Sequence, residues 1–184
     1  MRSSPRKGTA FISPARKCGV GKRDRTESLQ GRHPYFMSHT HAANFVHCVF
    51  STKARRNLIP AELQDRLYAY LIGIADNQGF KILAAGGTSN HIHLLIALPP
   101  ALTLAETIQR LKANSSRWLG EKAVQFEWQR GYGAFSVSPS LLPTVQAYIR
   151  NQPEHHSKRS FEEEFQALLN KSGITFDADR LFAA

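Results

Sequence analysis

Two histidines separated by a single residue, His91 and His93, carry the clearest chemical signal in this sequence. They begin a segment rich in isoleucine and leucine, which is typical of a buried strand. Side chains alternate between the faces of a strand, so both imidazoles are predicted on one face, with Ile92 and Leu94 on the other. Two neighbouring imidazoles can share one metal ion, although two ordinary histidines on a half-exposed strand would show the same pattern.

A tyrosine and a glutamine four positions apart, Tyr148 and Gln152, form the second signal. Residues four apart on a helix share one face, so the ends of both side chains can reach the same point. Taken alone, a tyrosine near the end of a helix is more often a packing residue than a catalytic one. Its combination with the two histidines makes it a candidate nucleophile.

Phosphoryl transfer is the chemistry that these four residues suit. A phenolic oxygen can attack phosphorus and hold the product as a phosphotyrosine, but with a pKa of ~10 it needs help to lose its proton. A divalent ion held by His91, His93 and the amide oxygen of Gln152 would give that help and polarise the phosphate. A mixed set of nitrogen and oxygen ligands suits Mg²⁺ or Mn²⁺, and imidazoles also accept Zn²⁺, Co²⁺ or Ni²⁺.

Hydrophobic periodicity predicts the elements that position these residues. Residues 44–51, NFVHCVFS, are predicted as a central strand because both faces are mostly apolar. Pro60 begins a helix with leucines at helical spacing, and Gly79 fits the C-terminal end of that helix. Residues 80–85 and 91–98 are predicted as two strands joined by a tight turn.

The second half of the chain continues the alternation. Thr103 begins a second helix with a capping box, and residues 135–138 form a short strand. Ser140 is predicted to cap a third helix that stops at Pro153, and Ser160 to cap a fourth. The order β-α-β-β-α-β predicts an α+β fold, a ferredoxin-like antiparallel sheet with helices packed on it and additional C-terminal helices.

Length and charge divide the chain into two parts. The 184 residues suit one domain, and the net charge is +10. Residues 1–36 hold nine Lys or Arg and two Asp or Glu without apolar periodicity, so they are predicted as a disordered basic extension. They are open to interpretation as a transit peptide, a nucleic-acid-binding arm or an extension upstream of a usual start at Met37. Residues 37–184 are predicted as the single domain.

The sequence also argues against two classes of protein. No apolar run approaches the ~20 residues of a membrane helix, so no membrane partner is expected. The two cysteines, Cys18 and Cys48, are too few for a disulfide scaffold or a cysteine-based zinc site.

Other polar residues receive binding or structural interpretations. Glu162, Glu163 and Glu164 lie in the first turn of a predicted helix, where acids favour the helix dipole. His155 and His156 follow a proline and are interpreted as capping or surface residues. Basic side chains that could contact nucleic-acid phosphates are Lys53, Arg55, Arg56, Arg110, Lys112, Arg117 and Arg130.

Four ordered segments resemble the single-tyrosine HUH transposases of the insertion-sequence 200-like type and their REP-associated relatives. The segments are MSHTH leading into HCVFSTKAR (His47 to Arg55), NHIHLLI (Asn90 to Ile96), WQRGYGAFSVS (Trp128 to Ser138) and YIRNQPEHH (Tyr148 to His156). The resemblance runs from Met37 nearly to the C-terminus. Residues 1–36 have no counterpart in it, which favours the upstream extension.

The resemblance implies roles for individual residues. His91 and His93 would be the HUH metal ligands with Ile92 between them, Tyr148 the nucleophile and Gln152 the third ligand. The chain would be a metal-dependent DNA endonuclease and strand transferase that uses Mg²⁺ or Mn²⁺. It would cut single-stranded DNA with hairpin ends, keep a 5′-phosphotyrosine and rejoin strands. A homodimer with sites completed in trans, in the bacterial cytoplasm, is also expected.

A non-catalytic, RNA-recognition-like domain that binds single-stranded nucleic acid is the alternative. Arg130-Gly131-Tyr132-Gly133 matches the start of the RNP1 signature, whose domains share the same order of elements. That signature needs aromatics two positions apart on one sheet face. Tyr132 and Phe135 are three apart, which predicts opposite faces and favours a glycine turn that enters a strand.

Overall fold

An antiparallel sheet lies at the centre of the fold. The computed structural model describes residues 41–122 and 125–182, and there the strands are β1 (Phe45–Ser51), β2 (Lys81–Gly87), β3 (His91–Ala97) and β4 (Gly133–Val137). Their order across the sheet is β2-β3-β1-β4, with antiparallel neighbours throughout. The predicted central position of the first strand is confirmed. The prediction of a disordered extension over residues 1–36 lies outside the described residues.

The described part of the chain contains the helices α1 (Ala61–Asn77), α2 (Leu104–Gly120), α3 (Leu142–Arg150), α4 (Gln152–His156), α5 (Phe161–Lys171) and α6 (Ala178–Leu181). As predicted, Pro60 precedes α1, and the Thr103 side chain caps α2 by accepting from the Glu106 N–H. The ferredoxin-like order followed by C-terminal helices is confirmed. Within residues 41–122 and 125–182, no helix combines the length and apolar character needed to cross a membrane.

The two faces of the sheet bury different kinds of side chain. Cys48, Ile92 and Leu94 point to one face and are fully buried in the main apolar core with α1 and α2. His91 and His93 occupy the opposite face, because side chains alternate along β3. Helices α3 and α5 pack on this second face through apolar contacts. The residues with candidate chemistry therefore lie between the sheet and the C-terminal helices.

Helix α5 is fixed at its first turn by the predicted capping box. Ser160 Oγ accepts from the Glu163 N–H at 3.2 Å, and the Glu163 carboxylate accepts from the Ser160 N–H at 2.9 Å. Phe161 is buried and stacks on Phe165 with ring centroids 5.6 Å apart. These contacts hold the N-terminal end of α5 over the histidine face.

The chain bends between Tyr148 and Gln152, where the sequence predicts one continuous helix. Helix α3 ends at Arg150, Asn151 has φ −94° and ψ 18°, and α4 begins at Gln152. A continuous helix would need an N–H of Pro153 to donate to the Ile149 carbonyl, but proline has no N–H and its ring would clash with that carbonyl. The prediction that Tyr148 and Gln152 share one helix is therefore wrong.

Helix α3 also begins later than the sequence predicts. A 3₁₀ turn covers Pro139–Leu141, and Leu141 precedes α3 without a side-chain cap. The prediction that Ser140 caps the helix is wrong, because its Oγ lies 3.0 Å from Ser138 Oγ inside the preceding turn. Pro143 in the first turn of the helix has no N–H that needs a cap.

Gly86 permits the close approach of α3 to the sheet. It lies opposite His93 in the pairing of β2 with β3, and a Cβ here would overlap the carbonyl oxygen of Ile149. We expect Gly86→Ala to displace the end of α3 that carries Tyr148. Overpacking of this kind should lower the free energy of unfolding by about 1–3 kcal/mol, as measured by urea denaturation.

Gly73→Ala is the matched control for this substitution. Gly73 lies in α1, and a Cβ there would have no atom within 4 Å. Alanine in an open helical position should raise the free energy of unfolding by about 0.5–1 kcal/mol. A Gly86→Ala chain as stable as the parent would contradict the tight packing of α3 on β2.

Candidate active site

The turn before β3 fixes the protonation of His91. Its Nδ1 lies 2.7 Å from Asn90 Oδ1 and 3.0 Å from Thr88 Oγ1. Because the amide oxygen of Asn90 can only accept, Nδ1 of His91 is the donor. Burial lowers the pKa of the His91 imidazole to about 3, so the ring is neutral. Nε2 of His91 therefore keeps a free lone pair. This nitrogen lies 3.5 Å from Gln152 Oε1.

His93 is held by a third histidine, His47 of β1. His93 Nδ1 lies 2.9 Å from His47 Nε2, and the two rings stack with centroids 5.2 Å apart. Burial lowers the pKa of both imidazoles, to about 3 for His47. No role for His47 is predicted from the sequence. Its position in the apolar strand β1 could have indicated a role, because a histidine buried in the central strand of a sheet needs a polar partner.

The second ring nitrogen of His93 indicates a cation site. Nε2 of His93 is buried and forms no hydrogen bond within the described residues, although Glu164 Oε2 is 3.3 Å away. An unsatisfied buried polar atom is costly, and an imidazole lone pair is a good metal ligand. The donor set around this atom therefore fits a bound divalent ion.

Tyr148 and Gln152 meet on Glu164 despite the bend between their helices. Glu164 Oε1 accepts a hydrogen bond from the Tyr148 hydroxyl and another, at 2.8 Å, from Gln152 Nε2. Gln152 is fully buried, whereas Tyr148 is only half-buried. The side chains of Tyr148 and Gln152 therefore reach the same point in space within a single chain. They meet there because both donate to the Glu164 carboxylate.

The other oxygen of Glu164 faces the histidines. Its Oε2 lies 2.8 Å from His156 Nε2, 3.3 Å from His93 Nε2 and 3.8 Å from His91 Nε2. The ligand atoms of these four side chains all lie within 4.8 Å of one another, so the group could hold a metal ion. A divalent-metal cofactor fits this arrangement, with more candidate ligands than the sequence predicted.

Two interpretations from the sequence are corrected here. The side chains of Glu164 and His156 are 7% and 13% exposed, so His156 is not a surface histidine and Glu164 does more than favour the helix dipole. Glu164 is in the first turn of α5 as predicted, but it points inward. The available signal was its spacing: Glu164 follows Phe161 by three positions and so shares the apolar face of the helix.

The carboxylate and the phenol influence each other's ionisation. Burial alone would raise the pKa of Glu164, but interactions with His156, His93 and Tyr148 outweigh burial and bring it well below its ordinary value. Burial and the contact with Glu164 both raise the pKa of the Tyr148 hydroxyl. Tyr148 is therefore a protonated phenol in this arrangement, and positive charge near its oxygen would be needed to activate it.

A cavity of about 510 Å³ opens beside Tyr148 and Glu164. Asn151 and His155 line it, and so do the exposed residues Lys158 and Arg159 between α4 and α5. The exposed Glu154 also lines it, so basic and acidic side chains meet at this opening. The site is thus accessible on the side where the Tyr148 hydroxyl lies.

The basic residues predicted to contact DNA do not surround this cavity. Arg110 and Arg117 lie on α2, which packs on the sheet face opposite the histidines. Arg110 donates to Gln78 Oε1 at 2.9 Å. Lys112 on the same helix is half-buried and donates to the carbonyl oxygens of Gln129 and Gly131, and contact of these three residues with DNA stays a prediction.

The remaining basic candidates lie near β1 and β4. Lys53 pairs with Glu127 at 2.6 Å, and Arg55 Nε lies 2.5 Å from Glu162 Oε1 on α5. Arg55 therefore ties the end of β1 to α5 and is occupied within the chain. Arg56 and Arg130 are exposed, and their contact with DNA stays a prediction.

Among the residues that the structure describes, the sheet has no open aromatic face of the kind that RNA-recognition domains use to stack bases. Phe135 of β4 is buried and packs against Phe165 of α5, with ring centroids 6.4 Å apart. Tyr132 precedes β4 and is 39% exposed, outside the sheet. The geometry therefore disfavours the RNA-recognition alternative, in agreement with the three-residue spacing of these aromatics.

Comparison with known sequences supports one family. The sequence model of the family "Transposase IS200 like" matches residues 41–152. The transposase of insertion sequence element IS200 from Salmonella typhimurium is 29% identical over 126 residues, which span 64% of this chain and 82% of that protein. The ISDra2 transposase TnpA from Deinococcus radiodurans is 25% identical over 114 residues, 58% of this chain and 81% of the relative.

Two solved structures share the fold. One is a transposase from Deinococcus radiodurans with a TM-score of 0.50 and 23% identity, covering 68% of this chain and 98% of that one. The other is a REP-associated tyrosine transposase bound to a REP hairpin, with a TM-score of 0.52 and 15% identity, covering 70% and 74%. The family match spans the sheet, both histidines, Tyr148 and Gln152. This chain belongs to the IS200-like transposase family.

Proposed function

We propose that this transposase cuts and rejoins single-stranded DNA at hairpin-marked sites through a 5′-phosphotyrosine intermediate, with Tyr148 as the nucleophile. The observation that carries the proposal is the meeting of the Tyr148 hydroxyl and the Gln152 amide on Glu164, beside two buried imidazoles. A phenol next to a group of cation ligands suits attack on phosphorus. The REP hairpin bound to a structural relative supports a hairpin substrate.

A divalent ion would be held by His91 Nε2, His93 Nε2 and Gln152 Oε1, with Mg²⁺ or Mn²⁺ favoured. When bound, the ion supplies a Lewis acid that polarises the scissile phosphate and favours the phenolate. Asn90 contacts Nδ1 of His91, and His47 contacts Nδ1 of His93. These contacts orient the two rings so that both Nε2 atoms face the proposed ion. Outer partners of this kind fix the tautomer of a ligand and raise its basicity.

In the proposed cleavage step the hydroxyl oxygen of Tyr148 attacks the phosphorus of one phosphodiester. A bond forms between that oxygen and phosphorus, and the bond from phosphorus to the 3′ oxygen breaks. The phenol loses one proton and the departing 3′ oxygen gains one, which leaves a 3′-hydroxyl and a 5′-phosphotyrosine. The number of phosphoester bonds is unchanged, so another 3′-hydroxyl can attack the phosphotyrosine and rejoin strands.

A single chain contains all of the proposed residues. Tyr148 lies beside the histidines of its own chain, with ring centroids 6.0 Å apart for Tyr148 and His93. The predicted homodimer, in which one copy's tyrosine acts on its partner's histidines, is not needed to assemble this site. It stays a prediction.

End-labelled oligonucleotides test the proposed function. Single strands that contain hairpins from the DNA flanking the coding sequence are incubated with the full chain and Mg²⁺ or Mn²⁺, then separated under denaturing conditions. A 3′-end label should move with the protein, and a 5′-end label should leave on a shorter strand. A chain that binds these hairpins in EDTA and never forms an adduct would instead be a binding module.

Gln152→Ala should slow cleavage without abolishing it. Loss of one ligand should reduce the single-turnover rate by about 10- to 100-fold, because water can fill the vacated position. We expect Mn²⁺ to restore part of the rate relative to Mg²⁺. Gln109→Ala, at an exposed position on α2, is the control. An unchanged rate for Gln152→Ala in Mg²⁺ would remove Gln152 from the proposed ligand set.

A further inference from the structure

Helix α5 contributes a buried carboxylate to the site from outside the family match, which ends at residue 152. We propose that Glu164 is a positioning residue that holds the Tyr148 hydroxyl beside the histidines and turns the Gln152 amide toward His91. The proposal rests on the proposed function and extends it to α5. Glu164 would thus act through Tyr148 and Gln152 and would not contact the reacting atoms itself.

The orientation of the Gln152 amide depends on Glu164. Gln152 Nε2 donates to Glu164 Oε1 at 2.8 Å, which leaves Gln152 Oε1 on the other side, 3.5 Å from His91 Nε2. Rotation of the amide by half a turn would place two acceptor oxygens together and point an NH₂ group at the metal ligands. Glu164 therefore selects the amide rotamer that can bind a cation.

The same carboxylate oxygen fixes the phenol. Tyr148 is half-buried beside an open cavity, so its ring is less confined than a core residue. The hydrogen bond from its hydroxyl to Glu164 Oε1 holds that oxygen next to the Gln152 amide. A nucleophile held in place before the substrate binds lowers the entropic cost of the reaction.

Glu164 is itself well fixed. The residue is 5% exposed, and its Oε2 also contacts His156 Nε2 at 2.8 Å. The first turn of α5 is anchored by its capping box and by the ion pair of Glu162 with Arg55 at 2.5 Å. A carboxylate on such a rigid element can impose its position on flexible neighbours.

The first test uses the metal-free full chain with tyrosine labelled at the ring carbon that bears oxygen, and Tyr148→Phe assigns the Tyr148 NMR signal. Glu164→Gln should shift this signal because a charged acceptor is lost. Glu163→Gln is the matched control, since Glu163 is exposed in the same turn and glutamine can still complete the capping box. If the chemical shift of Tyr148 is the same in Glu164→Gln as in the parent chain, the proposal is overturned.

The second test measures Mn²⁺ affinity by titration calorimetry. Glu164→Gln should weaken binding by about 10- to 100-fold, because an amide at 164 can present NH₂ as well as oxygen to Gln152 and no longer enforces one rotamer. In a Gln152→Ala background the same substitution should have little further effect, as expected for residues that act through one another. Equal losses in both backgrounds would make Glu164 a direct ligand and overturn its positioning role.

The third test measures cleavage kinetics with the hairpin oligonucleotides. Glu164→Gln should lower kcat by about 10- to 100-fold and leave KM within about twofold, and Glu164→Asp should restore part of the loss. Faster adduct formation by Glu164→Gln would mean that the carboxylate restrains the phenol, which overturns the proposal. If the parent chain forms no adduct, the proposed function fails, while the NMR and Mn²⁺ results still decide the role of Glu164.

Discussion

Tyr148→Phe should eliminate the covalent protein–DNA adduct and reduce strand cleavage on the order of 10⁴-fold or more, because the substitution removes the attacking oxygen. The ring is kept, so its packing near His47 and His93, at 6.0 Å between ring centroids, should survive. Binding of the hairpin oligonucleotide should change little. A denaturing gel with a 3′-end-labelled strand measures the adduct.

Tyr70→Phe is the matched control for the loss of a tyrosine hydroxyl. Tyr70 lies on α1, on the opposite face of the sheet, and stacks on Trp118 with ring centroids 5.2 Å apart. This substitution should leave adduct formation at the parent level. If Tyr148→Phe still cuts DNA, water is the nucleophile and the chain is a metal-dependent phosphodiesterase.

His91→Ala should abolish cleavage and weaken Mn²⁺ binding by at least about tenfold, because it removes a nitrogen ligand. Hairpin binding should largely survive, since phosphate and base contacts depend on other side chains. His91 is fully buried, so the alanine chain needs a thermal unfolding check. His91→Gln, which keeps a polar group of similar length, distinguishes a lost ligand from a lost fold.

His41→Ala is the control for the loss of an imidazole, because His41 is exposed and precedes β1. It should bind Mn²⁺ and cut DNA like the parent. Normal cleavage by a folded His91→Ala chain in Mg²⁺ would reduce His91 and His93 to ordinary buried histidines. The outcome thus decides between a metal site and a polar core.

Local sequence patterns were sufficient to predict the sheet. The apolar runs in 44–51 and 91–98 predicted both strands, and the alternation of side chains along a strand predicted the shared face of His91 and His93. The capping-box sequence patterns marked helix starts for the same reason, although only Ser160 forms the full box and Thr103 makes the side-chain cap alone. Each signal depends on residues that are close in sequence.

Features that depend on distant contacts escaped prediction. The bend at Asn151 accompanies the packing of Ile149 on Gly86 of β2, the strand at the opposite edge of the sheet from β4. The buried role of Glu164 requires α5 to pack over β3, and no local pattern specifies that docking. Glu162 and Glu163 lie in the same first turn of α5, where any acid favours the helix dipole. The sequence alone therefore did not distinguish Glu164 from its two neighbours.

The most direct test of the central claim is to find the atom that carries the DNA. The parent chain is allowed to react with a hairpin oligonucleotide in Mn²⁺, denatured and digested with protease and nuclease, and its peptides are sequenced by mass spectrometry. We predict a nucleotide joined through its 5′-phosphate to Tyr148 and to no other residue. A 5′-phosphate attached to another side chain, or cleavage products without any modified peptide, would contradict Tyr148 as the nucleophile.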